Sequence, residues 1–166
     1  MKALSIDPEY TLYIFNEQKT IECRTWKTNY RGPLLICAMK TPVPGCISGH
    51  AYFTVELTDI EEFNETHLEG AMMEEVPDVK CYAWHLENVE PIFPIQVRGK
   101  MGLFDVDDSE IKYFVDSLPE DCSDEECERL AKEFDEKYLV PLTYMPDMLE
   151  GIDDTDMLEG IEDKLN

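Results

Sequence analysis

The chain has 166 residues, 43 % of them hydrophobic, which is enough for one domain with an ordinary core. Its formal charge is −23, from 14 Lys and Arg against 37 Asp and Glu, and a field of that sign opposes long-range attraction to nucleic acid, so tight binding of long duplex DNA is not expected. Residues 1–6 give way at once to Asp7, Pro8 and Glu9, unlike a signal peptide, and no stretch approaches the ~20 apolar residues of a membrane span. A soluble, cytoplasmic protein with no membrane contact is the expectation.

In chain order, "KALSI" at 2–6 reads as a short strand. Residues 7–16 read as a helix, with Asp7 as N-cap, Pro8 at the first helical position and Glu9 favouring the positive helix end. A loop leads into an extended segment at 19–32. "PLLICAM" at 33–39 is a continuous apolar run, consistent with a buried strand. "TPVPGCISG" is a loop with two prolines and two glycines. "HAYFTVELTDI" alternates as a strand, with Ala51, Phe53, Val55 and Leu57 on one face and Tyr52, Thr54 and Glu56 on the other. Residues 61–80 are polar and acidic, a loop with one helical turn. Residues 81–93 and 94–106 read as two further strands, since Pro91 and Pro94 argue against a regular central strand between them.

Several short strands, one early helix and many turns describe a mainly β chain, a small β-barrel with flanking helices. The C-terminal third is different. Residues 107–118 are expected to form a short helix. Residues 123–139 form a longer one, with Ser123 and Glu126 as a capping box and Cys127, Leu130, Ala131, Phe134 and Tyr138 on one face. Acidity concentrates here: residues 105–166 hold 22 acidic and 5 basic side chains, whereas residues 1–104 hold 15 and 9. "DMLEGI" occurs at 147–152 and again at 156–161. Nine residues make 2.5 helical turns, so the two copies would face opposite sides of a continuous helix. The reading is a flexible tail or two short docking pieces, against a packed terminal segment or a chance duplication.

Six cysteines, at 23, 37, 46, 81, 122 and 127, include no Cys-x-x-Cys pair. Buried reduced thiols are expected rather than a disulfide framework, which suits smaller secreted chains. His50, His67 and His85 show no metal-ligand spacing, so neither a metal nor a cofactor is expected.

Against this acidic background, "KTIECRTWKTNYRG" at 19–32 gathers four cations, Lys19, Arg24, Lys27 and Arg31, around a single carboxylate, Glu22. In an extended strand Glu22, Arg24 and Trp26 share one face. An indole can stack a flat base, Arg can grip a phosphate, and a desolvated Lys can act as a base. The same pattern also fits an ordinary Glu–Arg ion pair beside a core tryptophan.

With "KALSIDPEY" before it and "YAWHLENVEPIFPIQVRGKMGLFDV" after it, "EQKTIECRTWKTNYRGPLLICA" resembles the ASCH domain family, whose fold is similar to the PUA-like β-barrels. The most specific element is Gly-x-Lys-x-x-Glu-x-Arg, falling here on Glu17, Lys19, Glu22 and Arg24. The resemblance covers about residues 1–106, leaving 107–145 as a helical extension and 146–166 as an acidic tail. It implies a small PUA-like β-barrel and a cleft holding the motif Lys, Glu and Arg. The implied function is binding of RNA or a modified nucleotide through Arg24, Trp26 and Lys27. Some small members are amidohydrolases that deacetylate modified cytidine and others ribonucleases, which would make Lys19 and Glu22 the catalytic, proton-transfer pair. Three departures stand out. Asp7-Pro8-Glu9 stands where similar proteins often read Gln-Pro-Trp, so an acid replaces an aromatic that could line the cleft. Glu17 replaces the motif glycine, and Glu22 occupies the position of the threonine nucleophile in the amidohydrolases' Lys-x-x-Thr arrangement. A third reading gives the acidic C-terminal third a basic protein partner. The expectations are a single concave site lined by Lys19, Glu22 and Arg24, and a Lys19→Ala variant that folds normally.

Overall fold

The apolar run at 33–39 becomes the centre of the sheet because it meets apolar partners on both faces. Leu34 and Ile36 pack with Leu4, Ile6, Phe53 and Trp84 on one side; Leu35 and Cys37 pack with Ala3, Ala51, Ile92 and Phe104 on the other. The computed structural model describes residues 1–146, and the tail with its repeated hexapeptide lies outside them. Six strands are described: β1 (Lys2–Ile6), β2 (Ile21–Arg24), β3 (Gly32–Ala38), β4 (His50–Glu62), β5 (Tyr82–Gln96) and β6 (Leu103–Asp105). They form one sheet in the order β2-β5-β4-β3-β1-β6, antiparallel except for the β1–β3 pair. The chain is thus mainly β, a half-barrel with a few helices. No helix among the described residues is long and apolar enough to cross a membrane.

The parallel β1–β3 pair needs a crossover, and α1 (Pro8–Phe15) begins it. Asp7 Oδ1 accepts the Glu9 N–H at 3.1 Å, as its N-cap position requires. The helix ends in a Schellman arrangement: Gln18 N–H donates to Tyr13 O at 2.9 Å and Glu17 N–H to Ile14 O at 3.0 Å. Glu17 therefore sits in the left-handed region, at φ 60°. That geometry explains why the motif carries glycine there. Glu17→Gly is expected to stabilise the fold by up to about 1 kcal/mol, the side chain's left-handed cost less the glycine's extra chain entropy. Urea melts check this, and a loss of stability would contradict it.

Two long strands bend the sheet. β4 and β5 pair over most of their length with three register shifts, between Ala51 and Phe53, Thr54 and Glu56, and Leu57 and Asp59. Bulges increase local twist and bend the strand. They also correct the expected clean alternation in β4: Tyr52 and Thr54 are as buried as Phe53 and Val55.

Two further corrections concern the second half. Residues 81–106 do not break into two strands at the prolines; β5 runs through both. Pro91 lies opposite Phe53, and Pro94 falls where the ladder skips to Ile95 opposite Ala51, so the missing N–H costs no regular rung. The second strand shrinks to β6. Residues 107–118 form no continuous helix either, only short 3-10 turns at Asp108–Glu110 and Val115–Ser117. Between them Tyr113 bridges Ile92, and Phe93 N–H donates to Lys112 O at 2.9 Å, so the backbone is held extended against β5.

Helix α3 (Asp124–Phe134) forms as expected, with Ser123 Oγ accepting the Glu126 N–H at 3.2 Å; the Ser123 half of the expected capping box is present. A wide π-type turn, Asp135–Leu139, follows. Phe134 and Tyr138 pack against Phe93 at 5.2 and 5.1 Å between ring centroids, fixing this region to β5. Cys122 and Cys127 stand side by side at the start of α3. Their Cα atoms are 5.9 Å apart because Ser123 turns the chain into α3 between them. Among the other four cysteines, burial pushes the Cys37 thiol up to about 12.

Candidate functional site

Of the four cations gathered in the sequence at 19–32, Lys19 and Arg24 meet on Glu22, while Lys27 and Arg31 go elsewhere. Lys19 is buried at 4 % exposure. Its ammonium donates to Ala71 O at 2.9 Å and lies 3.5 Å from Glu22 Oε2, with the Tyr10 ring 5.1 Å away. The single turn α2 (Leu68–Ala71) supplies that carbonyl. It sits tightly on β2, where Thr20 N–H donates to Gly70 O and a Cβ on Gly70 would meet Ile21 and Thr20 at 2.9 Å. Arg24 lies next along β2. Its Nε is 3.1 Å from Glu22 Oε1, an ion pair off the line of a hydrogen bond, and its Nη2 donates to Ser5 O at 2.8 Å. Lys27 lies over the Tyr82 ring at 5.5 Å. Arg31 bonds Thr28 O and Tyr30 O and approaches Asp59 at 3.7 Å.

Lys19, Glu22 and Arg24 thus form one chain of charges in which the carboxylate is shared. Only Arg24 of the three lines the principal cleft, an open cavity of about 1170 Å³. Lys19 lines a separate depression of about 300 Å³ with Glu17 and Glu87, and Glu22 and Lys27 line neither. Burial lowers the Lys19 pKa below its ordinary value, with Glu22 opposing the shift. That is the direction a proton-transfer lysine needs. Trp26 reaches the cleft while packing edge-on against Trp84 at 4.8 Å. Trp84 is fully buried and donates its indole N–H to Trp26 O at 3.2 Å, which holds Trp26 in place.

Three cations of the cleft were not singled out in the sequence: Lys40, Arg98 and Lys100. Lys40 follows β3, and Arg98 and Lys100 lie on the loop between β5 and β6. Gly99 seats that loop against β1, where a Cβ would meet Ser5 Oγ at 2.5 Å, and its flanking cations line the same cavity. With Arg24 the cleft has four cationic side chains and no Asp or Glu in its lining. Ser5 Oγ, also in the lining, is buried without a partner among the described residues. The signal for Arg98 and Lys100 is "VRGKMG", two charges around a glycine; Lys40 carries no such signal, and the convergence of all three on Arg24 comes from sheet order.

His67 and His85, far apart in sequence, meet on Glu61. Their ligand-type atoms all lie within 4.8 Å of one another, a spacing that could hold a metal ion. The hydrogen bonds disfavour that use. His67 Nδ1 accepts the Asn64 N–H at 3.0 Å, so the proton of the neutral ring is on Nε2, which donates to Glu61 Oε1 at 2.7 Å. A metal would need the Nε2 lone pair. His85 Nε2 lies 2.9 Å from the same oxygen. These bonds, His67 first, hold the Glu61 carboxyl below its ordinary value of 4.5. A depressed carboxylate stabilises the fold above the unfolded value, and this contribution is lost as pH falls through the folded one. Glu61→Gln should therefore be less stable than the native chain above about pH 4.5 and indistinguishable in strongly acidic buffer. Thermal melts across that range test it, and a difference that persists unchanged in acid would contradict it.

Comparison with known proteins adds a family and a fold. The ASCH domain model matches residues 4–98. The crystal structure of ASCH from Zymomonas mobilis is similar with a TM-score of 0.52 at 18 % identity, covering 66 % of this chain and 89 % of that one. Two point mutants of that protein are similar in the same way. Its tyrosine-to-phenylalanine mutant gives 0.50 at 20 %, covering 66 % and 91 %, and its serine-to-alanine mutant 0.52 at 17 %, covering 66 % and 89 %. At these identities the likeness is one of fold. No curated protein matches the sequence.

Proposed function

This chain belongs to the ASCH domain family, and from that premise we propose that its cationic cleft binds single-stranded RNA or a modified nucleotide. The observation that carries the reading is the cleft's composition: Arg24, Lys40, Arg98 and Lys100 with no carboxylate in the lining, in a chain of net charge −23. Cations held together against the overall field imply an anionic ligand. Arg24 keeps N–H groups beyond the one given to Ser5 O, and Trp26 offers an aromatic surface beside it. The volume suits one or two nucleotides better than a duplex. Such a ligand belongs with a cytoplasmic protein.

Titration of a labelled single-stranded RNA, with the matching DNA duplex alongside, tests the proposal. The RNA is expected to bind saturably at low salt and the duplex weakly near ~0.15 M, where exposed charges are screened beyond ~8 Å. No saturable RNA binding at low salt, or binding indifferent to Arg24→Ala, would overturn it.

The lowered pKa of Lys19 favours a second reading, hydrolysis of an acylated or otherwise modified nucleoside, with Lys19 and Glu22 moving protons. Lys19→Arg then loses turnover, because guanidinium stays protonated. Absence of turnover by the native chain across a panel of acylated nucleosides would remove this reading.

A further inference from the structure

We propose that the acidic segment at residues 147–166 docks into the cationic cleft of its own chain and competes there with nucleic acid. This rests on the reading of the cleft as an anion-binding site and adds a regulator to it. Three observations converge. The first is where the segment leaves the described chain. Thr143 bridges Ile47, Tyr144 N–H donates to Cys46 O at 3.0 Å, and Gly45 N–H donates to Tyr144 O at 2.8 Å. Ser48, Gly49 and His50, the next residues after Ile47, form a wall of the cleft. Thr143 and Tyr144 therefore lie next to the chain that leads into that wall, three residues before the segment, and each of its twenty residues can add up to about 3.3–3.6 Å of reach.

Charge is the second observation. Residues 147–166 hold eight Asp and Glu against one Lys. Lys40, Arg98 and Lys100 have no carboxylate at ion-pair distance among the described residues, whereas Lys2, Arg31, Lys80, Arg129 and Lys132 each have at least one. A tethered acidic segment acts on these cations as an intramolecular ligand, at an effective concentration no free anion of equal affinity matches in dilute solution.

Third, the cleft has an apolar component that a phosphate chain does not use. Met39 is 44 % exposed and Met101 99 % exposed, beside Trp26 and Val97. Methionine-rich surfaces adapt to apolar side chains of varied shape. Each copy of Asp-Met-Leu-Glu-Gly-Ile, at 147–152 and 156–161, sets Met, Leu and Ile between carboxylates. The repeat thus matches both components of the cleft, twice.

The test uses two full-length chains: the native one, and one in which Asp147, Asp153, Asp154, Asp156 and Asp163 become Asn and Glu150, Glu159 and Glu162 become Gln. Lysine acetylation by a small reagent, read by mass spectrometry without ligand, should be several-fold slower at Lys40 and Lys100 in the native chain. Lys132, on α3, serves as the reference for the change in overall field and should react equally in both. Equal rates at Lys40 and Lys100, relative to Lys132, overturn the proposal. Protection that fades on dilution assigns the contact to a second copy and overturns the same-chain form. Labelled single-stranded RNA then separates the two claims. If the lysines are protected and neither chain binds RNA, the docking stands and the nucleic-acid reading falls. If both chains bind RNA equally and show equal footprints, the nucleic-acid reading stands and the docking falls.

Discussion

Lys19→Ala is expected to lower stability by about 3 kcal/mol. Removing one member of a buried ion pair costs about 3–5 kcal/mol because the other charge stays buried. The lower figure applies because Arg24 Nε remains 3.1 Å from Glu22 after Lys19 is gone. The variant also strips Ala71 O of its donor and so loosens α2 from β2. This revises the expectation, natural from the sequence, that the substitution would leave folding intact: at 4 % exposure Lys19 is part of the core's construction. Lys19→Met with Glu22→Gln should recover part of the loss, since neither Lys19 nor Glu22 then remains as a buried charge, while the half-buried Arg24 keeps Ser5 O but loses its carboxylate. Urea unfolding of the three chains measures both effects. A Lys19→Ala midpoint equal to that of the native chain would show that the charge chain carries no stability. Loss of turnover in Lys19→Ala alone therefore does not identify a proton-transfer role, and Lys19→Arg is the informative variant.

The largest effect on binding is expected from the cleft lysines and arginines together. Single-stranded nucleic acid releases counterions with a slope of about −0.7 per phosphate neutralised, so four contacts give a slope near −2.8 in log K against log salt. Affinity for RNA should then fall about 50-fold between 50 and 200 mM salt. Replacing Lys40, Arg98 and Lys100 together by Ala leaves Arg24, and the slope should drop to about −0.7. Anisotropy titrations at several salt concentrations read this directly. A slope that stays near its native value in the triple variant would move the binding surface away from the cleft.

Legibility in the sequence followed the range of the interactions involved. Asp7, Pro8 and Glu9 specify the start of α1, and Ser123 the start of α3, through contacts spanning two or three residues. The prolines of β5 misled for the complementary reason. Whether Pro91 interrupts a strand depends on what lies opposite it, and Phe53 is 38 positions away. The local pattern of residues 107–118 favours a helix, but hydrogen bonds to Pro91 and Phe93 and the Ile92–Tyr113 bridge hold Lys112 and Tyr113 against β5. Tertiary pairing overrides weak local preference there.

The sequence by itself determined the family, through the spacing of Lys19, Glu22 and Arg24, and the mainly β character, through its apolar runs. It determined that Glu17 departs from the motif glycine, and the left-handed backbone at that residue supplies the physical meaning of the glycine. Only the tertiary structure decided which charges act together. Lys19, Arg24, Lys27 and Arg31 are neighbours in the chain, yet only Arg24 lines the cleft. Its companions there come from after β3 and from the loop following β5, because the sheet folds β1 between β3 and β6 and seats Gly99 on Ser5. His67 and His85 reach Glu61 for the same reason: β4 pairs with β5, and the turn before α2 returns His67 to the same edge. Charge clustering along a chain is a one-dimensional property, while the field a ligand meets depends on distances across strands, and those are set by register and sheet order.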